Sequence, residues 1–377
     1  MKSLKMVDLK SQYLKIKPEI DNAVLKILDN TNFILGEEVN NFANDLQRYL
    51  NVKYVIPCAN GTDALQIALM ALKLPKGSEV ILADFCYIAA AEAVSLLGYK
   101  PVFVDVEPGT FNINPKEIEA KITDRTKVII PVHLFGQSCN MEPIIRIAQK
   151  YNLYIVEDNA QSIGAHYTFS NGETKRTGTI GHVGTTSFFP SKNLGAMGDG
   201  GAIFTNDEEL ANTLKTIANH GQKERYYHDM IGVNSRLDTI QAAILGIKLK
   251  HLDTYIAARR KAADYYDQFF RNKNYAVIPE RSTFADHVFH QYTLKIKDGK
   301  RDGLKAYLDK EGVPAMIYYP VALQDQKAFA NHSKDEDLHP NTQSLCKEVI
   351  SLAMHSELED EQLQFITSKV EAYFHSH

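Results

Sequence analysis

One lysine of the chain lies in a loop whose composition suits covalent catalysis. Lys192 ends the run Ser187-Phe-Phe-Pro-Ser-Lys192, and a glycine-rich stretch, 195–201, follows it. Apolar neighbours disfavour the ammonium form and so lower the pKa of a lysine, and a neutral amine can form a Schiff base with a carbonyl group. The alternative is a solvated surface lysine, which most lysines are. The loop predicts a nucleophilic amine.

A pair of carboxylates closes an apolar run earlier in the chain. Glu157 and Asp158 end the run Tyr154-Ile-Val-Glu-Asp158, and Gln161 follows one turn later. A carboxylate in this position can hold the cationic nitrogen of an aromatic ring, because charge-assisted hydrogen bonds are strong where water is excluded. The alternative is that Asp158 only stabilises the N-terminus of a helix through the helix dipole.

Two polar loops lead directly into predicted helices. The loop Cys58-Ala-Asn-Gly-Thr-Asp63 places Gly61 and Thr62 at a helix start, where free backbone amides and the helix dipole form an anion site. The loop Gly232-Val-Asn-Ser-Arg236 precedes a second helix and offers Asn234. In both loops the polar residues could serve only as helix N-caps. A phosphate cup, an acid for a ring nitrogen and a reactive lysine together indicate pyridoxal phosphate as the cofactor.

Short β-branched runs alternate with helical patterns around these loops. We predict strands at 54–57, 79–83, 101–104, 127–132 and 154–157, with helices between them at 61–72, 89–97, 115–121 and 141–150. This α/β alternation predicts a parallel sheet covered on both faces, with ligands beyond the strand ends. The runs 184–189 and 201–205 are predicted as an antiparallel addition to that sheet.

The second half of the chain reads as a long helix followed by a smaller α+β unit. Apolar spacing predicts a helix from 237 to about 270, and the tail has strand-like and helical runs at 291–297, 303–311, 315–318 and 360–375. We therefore expect a large cofactor-binding α/β domain at 1–250 and a small C-terminal α+β domain at 251–377.

Composition narrows the class of protein. Among 377 residues, 42 are Lys or Arg and 46 are Asp or Glu, so a net charge of −4 argues against a nucleic-acid-binding protein. Four scattered cysteines form no ligand cluster, so we expect no metal site and a reducing compartment. The first residues lack an apolar signal segment, and we expect a cytoplasmic protein without membrane contact.

The sequence resembles the DegT/DnrJ/StrS family of nucleotide-sugar aminotransferases almost from end to end. The resemblance rests on Ala59-Asn-Gly-Thr-Asp-Ala-Leu65, Glu157-Asp-Asn-Ala-Gln161, Ser187-Phe-Phe-Pro-Ser-Lys192, Gly198-Asp-Gly-Gly201 and 232–243. It implies the fold of aspartate aminotransferase: a mixed, mostly parallel seven-stranded sheet flanked by helices, plus a smaller C-terminal α+β domain. It also implies a homodimer with shared active sites.

The resemblance further implies a role for each site residue. Lys192 would carry the cofactor as a Schiff base and move protons, and Asp158 would keep the ring nitrogen protonated. The other implied cofactor contacts are Gln161 near the phenolic oxygen, Gly61, Thr62 and Ser187 at the phosphate, Tyr87 stacked on the ring with Phe85 as the alternative, and Asn234 reaching the partner subunit's phosphate.

The implied reaction moves the amine of L-glutamate to a keto nucleotide sugar. The motifs look most like those of enzymes that aminate C3 of a UDP-linked 2-acetamido-3-keto-hexuronate, and Arg236 could bind the uronate carboxylate. The alternatives are a dTDP-3-keto-6-deoxyhexose as substrate, a sugar dehydratase, in which histidine replaces the lysine, and a non-catalytic regulatory relative.

Several further residues are candidates for substrate contact. Tyr318 stands where many relatives have a histidine before Tyr-Pro. His133, His182, His220 and His228 are nominal candidates, although most lone histidines are structural or solvated.

Overall fold

A computed structural model describes residues 4–330 and 338–376 of the chain. Its helices are α1 Leu9–Lys15, α2 Lys17–Asn30, α3 Glu37–Leu50, α4 Gly61–Ala71, α5 Ala89–Leu96, α6 Pro115–Ile118, α7 Met141–Tyr151, α8 Glu208–Ala218, α9 Thr239–Leu249, α10 Leu252–Phe270, α11 Arg301–Lys310, α12 Pro340–Glu348 and α13 Asp360–Ser376. Its strands are β1 Tyr54–Cys58, β2 Glu79–Ala83, β3 Lys100–Val104, β4 Thr126–Ile130, β5 Tyr154–Asp158, β6 His166–Thr168, β7 Thr174–Arg176, β8 Val183–Ser187, β9 Gly201–Thr205, β10 Gln222–Glu224, β11 Tyr227–His228, β12 Ala276–Val277, β13 Tyr292–Ile296, β14 Ala315–Met316 and β15 Val349–Leu352.

The main sheet has seven strands in the order β1-β9-β8-β5-β4-β2-β3. Strands β8, β5, β4, β2 and β3 run parallel, whereas β9 is antiparallel to both of its neighbours. Every residue of β2 and β9 is buried, as expected for strands covered on both faces. The predicted mixed, mostly parallel sheet is confirmed. The prediction that both late strands are antiparallel additions was wrong for β8, which continues the parallel sheet beside β5.

The predicted long helix between 237 and 270 is two helices instead. Helix α9 ends at Leu249, and α10 starts at Leu252 after a short break. The break lets α9 lie on α3 in the core beside the main sheet, while α10 crosses to a second core. Ile256 of α10 packs in the first core, and Tyr266 and Phe270 are buried in the second.

The second core is built on a four-stranded antiparallel sheet in the order β12-β13-β15-β14. Helices α10, α11 and α13 supply its buried apolar residues. The strand patterns near 291–297 and 315–318 predicted β13 and β14. Strand β15 was missed, because its short apolar run continues directly from α12 and has no turn signal between the two.

The pairing of the strands in the main sheet brings several loops together at one end of the strands. Asp158 at the end of β5 pairs with Thr185 in β8, and Ser187 at the end of β8 pairs with Gly201. Gly201 also pairs with Cys58 at the end of β1. The loops after β1, β5 and β8 therefore open at the same edge, where open α/β sheets bind ligands.

The chain folds without disulfide bonds among its cysteines, because all four are buried and free.

Among the helices described, none has the length and apolarity that crossing a bilayer requires.

Candidate active site

Lys192 lies in a turn that hydrogen bonds hold from several sides. Its backbone N–H donates to the carbonyl of Phe189 over 2.8 Å. Three residues later the carbonyl of Gly195 accepts a hydrogen bond from Nζ of Lys248, a buried lysine of α9. A side chain on Gly195 would collide with the carbonyl of Pro190, so the tight turn requires glycine at this position.

Lys192 and Asp158 interact electrostatically at the end of β5. Burial lowers the pKa of Lys192 to about 8, and the negative charge of Asp158 opposes that shift. Burial raises the pKa of Asp158, opposed by a hydrogen bond from the Ala160 backbone and by the charge of Lys192. An amine with this pKa is neutral in a substantial fraction of molecules at mildly alkaline pH, as a nucleophile must be.

The Asp158 carboxylate is fixed by the backbone on both sides. The N–H of Asp158 donates to the carbonyl of Pro131, and its own carbonyl accepts from the N–H of His133, both over 3.0 Å. Its Oδ1 accepts from the N–H of Ala160 over 3.0 Å. No residue in the ranges 4–330 and 338–376 donates a hydrogen bond to Oδ2, which leaves this oxygen for another donor, such as a protonated ring nitrogen.

The start of α4 and the end of β8 form a narrow cradle. A side chain on Gly61 would place its Cβ 2.7 Å from the Cβ of Ser187, so only glycine lets the two segments approach this closely. Asn60 caps α4, because its side chain accepts a hydrogen bond from the N–H of Asp63, so the N-cap predicted as an alternative role is present. The first backbone amides of the helix remain available to bind an anion. Thr62, the second residue of α4, is partly exposed at the same place.

A group of aromatic residues closes the other side of the site. Oε1 of Gln161 accepts from the N–H of Phe135, and its Nε2 donates to the hydroxyl of Tyr319 over 3.3 Å. The ring of Tyr87 is 59% exposed and lies 6.4 Å from that of Tyr319, so a flat ligand can reach it. Phe85 is buried against Tyr319 and belongs to the core, which removes it as the alternative to Tyr87.

Tyr319 is a site residue that the sequence reasoning did not single out. Burial raises the pKa of its phenol, so the hydroxyl stays protonated beside Gln161. The adjacent Tyr318 is half-buried, with its ring 5.9 Å from the ring of Tyr319. The sequence signal for Tyr319 is the motif Tyr318-Tyr319-Pro320, in which Tyr319 directly follows the residue that differs from many relatives.

The loop 232–236 lies beside the loop before α4. The hydroxyl of Ser235 accepts from the N–H of Ala59 over 3.0 Å. Asn234 itself is exposed, and so is His220, whose N–H donates to the carbonyl of Val233. Among the residues described, neither side chain forms a hydrogen bond or an ion pair with Lys192 or Asp158.

Arg236 is partly exposed on the same loop. Within residues 4–330 and 338–376 its guanidinium has neither an ion pair nor a hydrogen bond. An arginine without a carboxylate partner is available to an anionic ligand.

Two of the nominal histidine candidates have structural roles. His133 is fully buried, with Nε2 2.8 Å from a carboxylate oxygen of Glu157. His182 accepts from the N–H of Ile155 at the opposite end of the sheet and packs against the ring of Tyr154. Neither can meet a substrate at the Lys192 end of the sheet, so both take the structural role that was the alternative for these candidates. His228 is exposed and hydrogen-bonds to the carbonyl of His220.

His290 is a buried residue near Lys192 that the sequence did not reveal. Burial and the positive charges of Lys192 and Arg259 hold the pKa of its imidazole well below the usual range. Its segment packs on the turn after β4, where a side chain on Gly136 would meet the N–H of His290. Lys192 and His290 are almost 100 residues apart in the chain, so no local sequence pattern connects them.

Comparison with known proteins identifies the family. Residues 14–371 match the DegT/DnrJ/EryC1/StrS aminotransferase family, and the chain belongs to it. It is 44% identical over 371 residues to a "pleiotropic regulatory protein" of Geobacillus stearothermophilus, with 98% of each chain covered. It is also 44% identical over 363 residues to the UDP-2-acetamido-2-deoxy-3-oxo-D-glucuronate aminotransferase of Pseudomonas aeruginosa, covering 96% of this chain and 98% of that one.

A third relative acts on a different nucleotide sugar, and a solved structure contains a cofactor. The dTDP-3-amino-3,6-dideoxy-alpha-D-galactopyranose transaminase of Aneurinibacillus thermoaerophilus is 40% identical, with 97% of this chain and 98% of that chain covered. The crystal structure of NtdA from Bacillus subtilis with bound cofactor PMP superposes with a TM-score of 0.88 at 31% identity, covering 96% of this chain and 82% of that one.

The chain is thus a pyridoxal-phosphate-dependent sugar aminotransferase. The comparisons confirm the family, the cofactor and the enzyme class that the sequence predicted. The residues present fit this cofactor. A buried carboxylate with a free oxygen suits the ring nitrogen, the lysine with a lowered pKa suits the carbonyl carbon, and the cradle of Gly61 and Ser187 suits the phosphate.

We predict a pH-dependent stability effect of Lys248, which holds the turn after Lys192. Burial lowers the pKa of Lys248 to about 8. Between pH 8 and the ordinary lysine pKa near 10.5, the unfolded chain therefore binds more protons, and the free energy of unfolding rises with pH. In Lys248→Met this rise should be smaller, by up to about 1 kcal/mol per pH unit. Urea unfolding at several pH values between 8 and 10 measures it.

Lys250→Met is the matched control, because Lys250 is exposed two residues away. It should keep the pH dependence of the wild type. An equal slope in Lys248→Met and in the wild type would contradict the prediction.

Proposed function

We propose that the enzyme transfers the amine of L-glutamate to C3 of a UDP-linked 2-acetamido-3-keto-hexuronate. The observation that carries an amine transfer is that β5, which ends at Asp158, pairs with β8, which leads into the turn of Lys192, so that the amine and the carboxylate lie at the same end of the main sheet. The sugar rests on the 44% identity to the enzyme of Pseudomonas aeruginosa that acts on such a substrate. The four free thiols agree with a cytoplasmic enzyme.

When bound, pyridoxal phosphate supplies an electron-withdrawing ring and a carbonyl group that can take up and release an amine. Asp158 accepts a hydrogen bond from the ring nitrogen and holds the proton there. Nζ of Lys192, in its neutral form, takes the proton from Cα of the amine donor and returns a proton at C3 of the sugar. The donor leaves as 2-oxoglutarate before the sugar enters, so the kinetics are ping-pong.

The remaining cofactor residues bind and orient. The first amides of α4, at Gly61 and Thr62, and the hydroxyl of Ser187 hold the phosphate. Tyr87 covers one face of the ring, and Gln161 reaches its phenolic oxygen from a side chain already fixed by Phe135 and Tyr319.

We infer that two copies of the chain share their active sites. Asn234 is exposed in one chain, although its loop is tied to the phosphate-binding loop through Ser235. Large apolar side chains are exposed close in sequence to the site loops, at Phe189, Met197, Tyr226, Tyr227 and Ile231. Three more are exposed at Phe33, Ile34 and Leu35, a segment that hydrogen-bonds to Thr239 at the start of the helix that follows the loop of Asn234. Exposed apolar patches of this kind mark protein interfaces, and a two-fold dimer lets Asn234 complete the partner's phosphate site.

Arg236 is the residue we assign to the substrate. Its guanidinium has no acidic partner among the residues described, and a uronate carboxylate would give it a bidentate one. The second candidate substrate is a dTDP-3-keto-6-deoxyhexose, favoured by the relative of Aneurinibacillus thermoaerophilus. For that sugar Arg236 would contact the diphosphate or hold the loop. A dehydratase is disfavoured because Lys192 is present, and a purely regulatory role because Lys192 and Asp158 both are.

Asp158→Asn tests the role of the ring-nitrogen acid. The amide can still hydrogen-bond to the ring nitrogen but cannot keep it protonated, so the cofactor should stay bound while turnover falls about 100-fold or more. Steady-state kinetics with glutamate and the keto sugar measure turnover, and absorbance measures cofactor content. Wild-type turnover in this variant would reassign Asp158 to helix capping.

Mixing two inactive variants tests the shared site. Lys192→Ala lacks the amine and Asn234→Ala lacks the partner's phosphate contact, so neither homodimer should turn over well at limiting cofactor. After subunit exchange, each mixed dimer has one intact site, and a random mixture should recover about a quarter of the wild-type activity. Activity equal to the average of the two parents would show that each site is complete within one chain.

Arg236→Lys tests the sugar. A carboxylate contact predicts a loss of kcat/KM for the uronate alone, by about 1–3 kcal/mol, with the 6-deoxy sugar unchanged. Arg146→Lys, a change in an exposed arginine of α7 that pairs with Glu142, is the control. Equal losses on both sugars would remove Arg236 from substrate discrimination.

A further inference from the structure

Glu157 is a fully buried carboxylate directly before Asp158. Successive side chains of a strand point to opposite faces of the sheet, so Glu157 faces away from the ligand when Asp158 faces it. It therefore cannot touch the cofactor. A buried charge is costly unless it is fully hydrogen-bonded, and a carboxylate retained at this point needs a physical reason.

Four donors converge on the two oxygens of Glu157. Oε2 accepts from the N–H of Gly178 over 2.9 Å and from Nε2 of His133 over 2.8 Å. Oε1 accepts from the N–H groups of Ile180 and Gly181, each over 2.6 Å. Backbone N–H groups can only donate, so both oxygens must accept, and no position is left for a carboxyl proton.

His133 connects Glu157 to the backbone of Asp158. Nδ1 of its fully buried ring accepts from the N–H of Cys139 over 3.0 Å, which puts the ring proton on Nε2 and makes the imidazole a neutral donor to Glu157. The backbone N–H of His133 donates to the carbonyl of Asp158. One residue thus holds the side chain of Glu157 and the main chain of Asp158 together.

The segments that Glu157 joins each lead to another site residue. The turn 178–181 leads into β8, which ends at Ser187, and the hydroxyl of Thr185 in that strand donates to the carbonyl of Glu157 over 3.1 Å. The segment after His133 contains Phe135, whose N–H donates to the side chain of Gln161.

We propose that Glu157, held by His133, is a positioning residue that sets the place of Asp158 at the ring nitrogen and of Ser187 at the phosphate. The carboxylate ties the segment after β4, strand β5 and the turn before β8 into one rigid unit. The inference rests on the role proposed above for Asp158. Loss of the unit should weaken cofactor binding and change the environment of the ring nitrogen, in addition to any loss of fold stability.

Glu157→Gln is the first test, because it keeps the shape but presents an NH₂ group to donors. The dissociation constant of pyridoxal phosphate should rise about tenfold or more, as expected for lost hydrogen bonds to a charged group. The pH midpoint of the absorption band of the bound cofactor should shift in the same direction as in Asp158→Asn. Tyr292→Phe is the control, since it removes a buried hydrogen bond from Tyr292 of β13 to Asp267 of α10 in the second core.

A purely structural role predicts that Glu157→Gln lowers the melting temperature, as Tyr292→Phe does, and leaves the cofactor dissociation constant and the pH midpoint at their wild-type values. That outcome would overturn the proposal. If Asp158→Asn itself leaves the pH midpoint unchanged, the role proposed for Asp158 fails instead. A shift in Asp158→Asn without one in Glu157→Gln refutes only the positioning role.

Two substitutions of His133 keep the test decisive if Glu157→Gln does not fold. The amide of His133→Asn takes the place of Nδ1 and loses the donor to Glu157, whereas the amide of His133→Gln takes the place of Nε2 and keeps it. The proposal predicts that the Gln variant stays closer to the wild type in both cofactor affinity and pH midpoint. Equal values for the two variants, or wild-type values for both, would contradict it.

Discussion

An ammonium group and a carboxylate must be kept together at a site where both lose most of their contact with water. Burial alone would neutralise each of them, lowering the pKa of Lys192 and raising that of Asp158, while their mutual attraction opposes both shifts. Because the two effects oppose each other, the amine of Lys192 can lose its proton while the carboxylate of Asp158 keeps its negative charge. Such a balance depends on distance, so the backbone of Asp158 is hydrogen-bonded on both sides and the turn of Lys192 is tied to α9.

The glycine-rich segment after Lys192 follows from the same requirement. The chain must return from the lysine turn as β9, which lies between β8 and β1 and is antiparallel to both. At the start of that strand a side chain on Gly201 would lie 2.4 Å from the carbonyl of Asn60. The glycines therefore allow the lysine turn to pack closely against the phosphate-binding loop and the strand ends. Their role is close packing, not flexibility.

Features encoded by neighbouring residues could be predicted, and features made by distant residues could not. The β-branched runs gave the parallel strands, and the apolar run ending in Asp158 gave the position of the acid. The break after α9 was missed because helical apolar spacing continues through it, and only the presence of two cores explains it. Tyr319 accepts a hydrogen bond from Gln161 across 158 residues, and the charge of Lys192 acts on His290 from almost 100 residues away in the chain, so no local sequence pattern could connect either pair. The structural role of His133 could not be separated from a ligand role, because a buried imidazole has the same sequence signature as a ligand.

The division between buried and exposed residues separates the chemistry from the choice of substrate. Asp158 and Gln161 are buried in one chain, and Lys192 is only partly exposed, with contacts supplied by the main sheet and its loops. Asn234, His220 and Arg236 lie instead on the surface or partly on it, in segments next to exposed apolar residues. Substitutions of Asp158, Gln161 or Lys192 remove buried side chains or their interactions, and so lower the stability of the fold. In the roles proposed above, changes in the second group alter only what meets the ligand or the partner, and relatives with the same amine chemistry could then act on different nucleotide sugars.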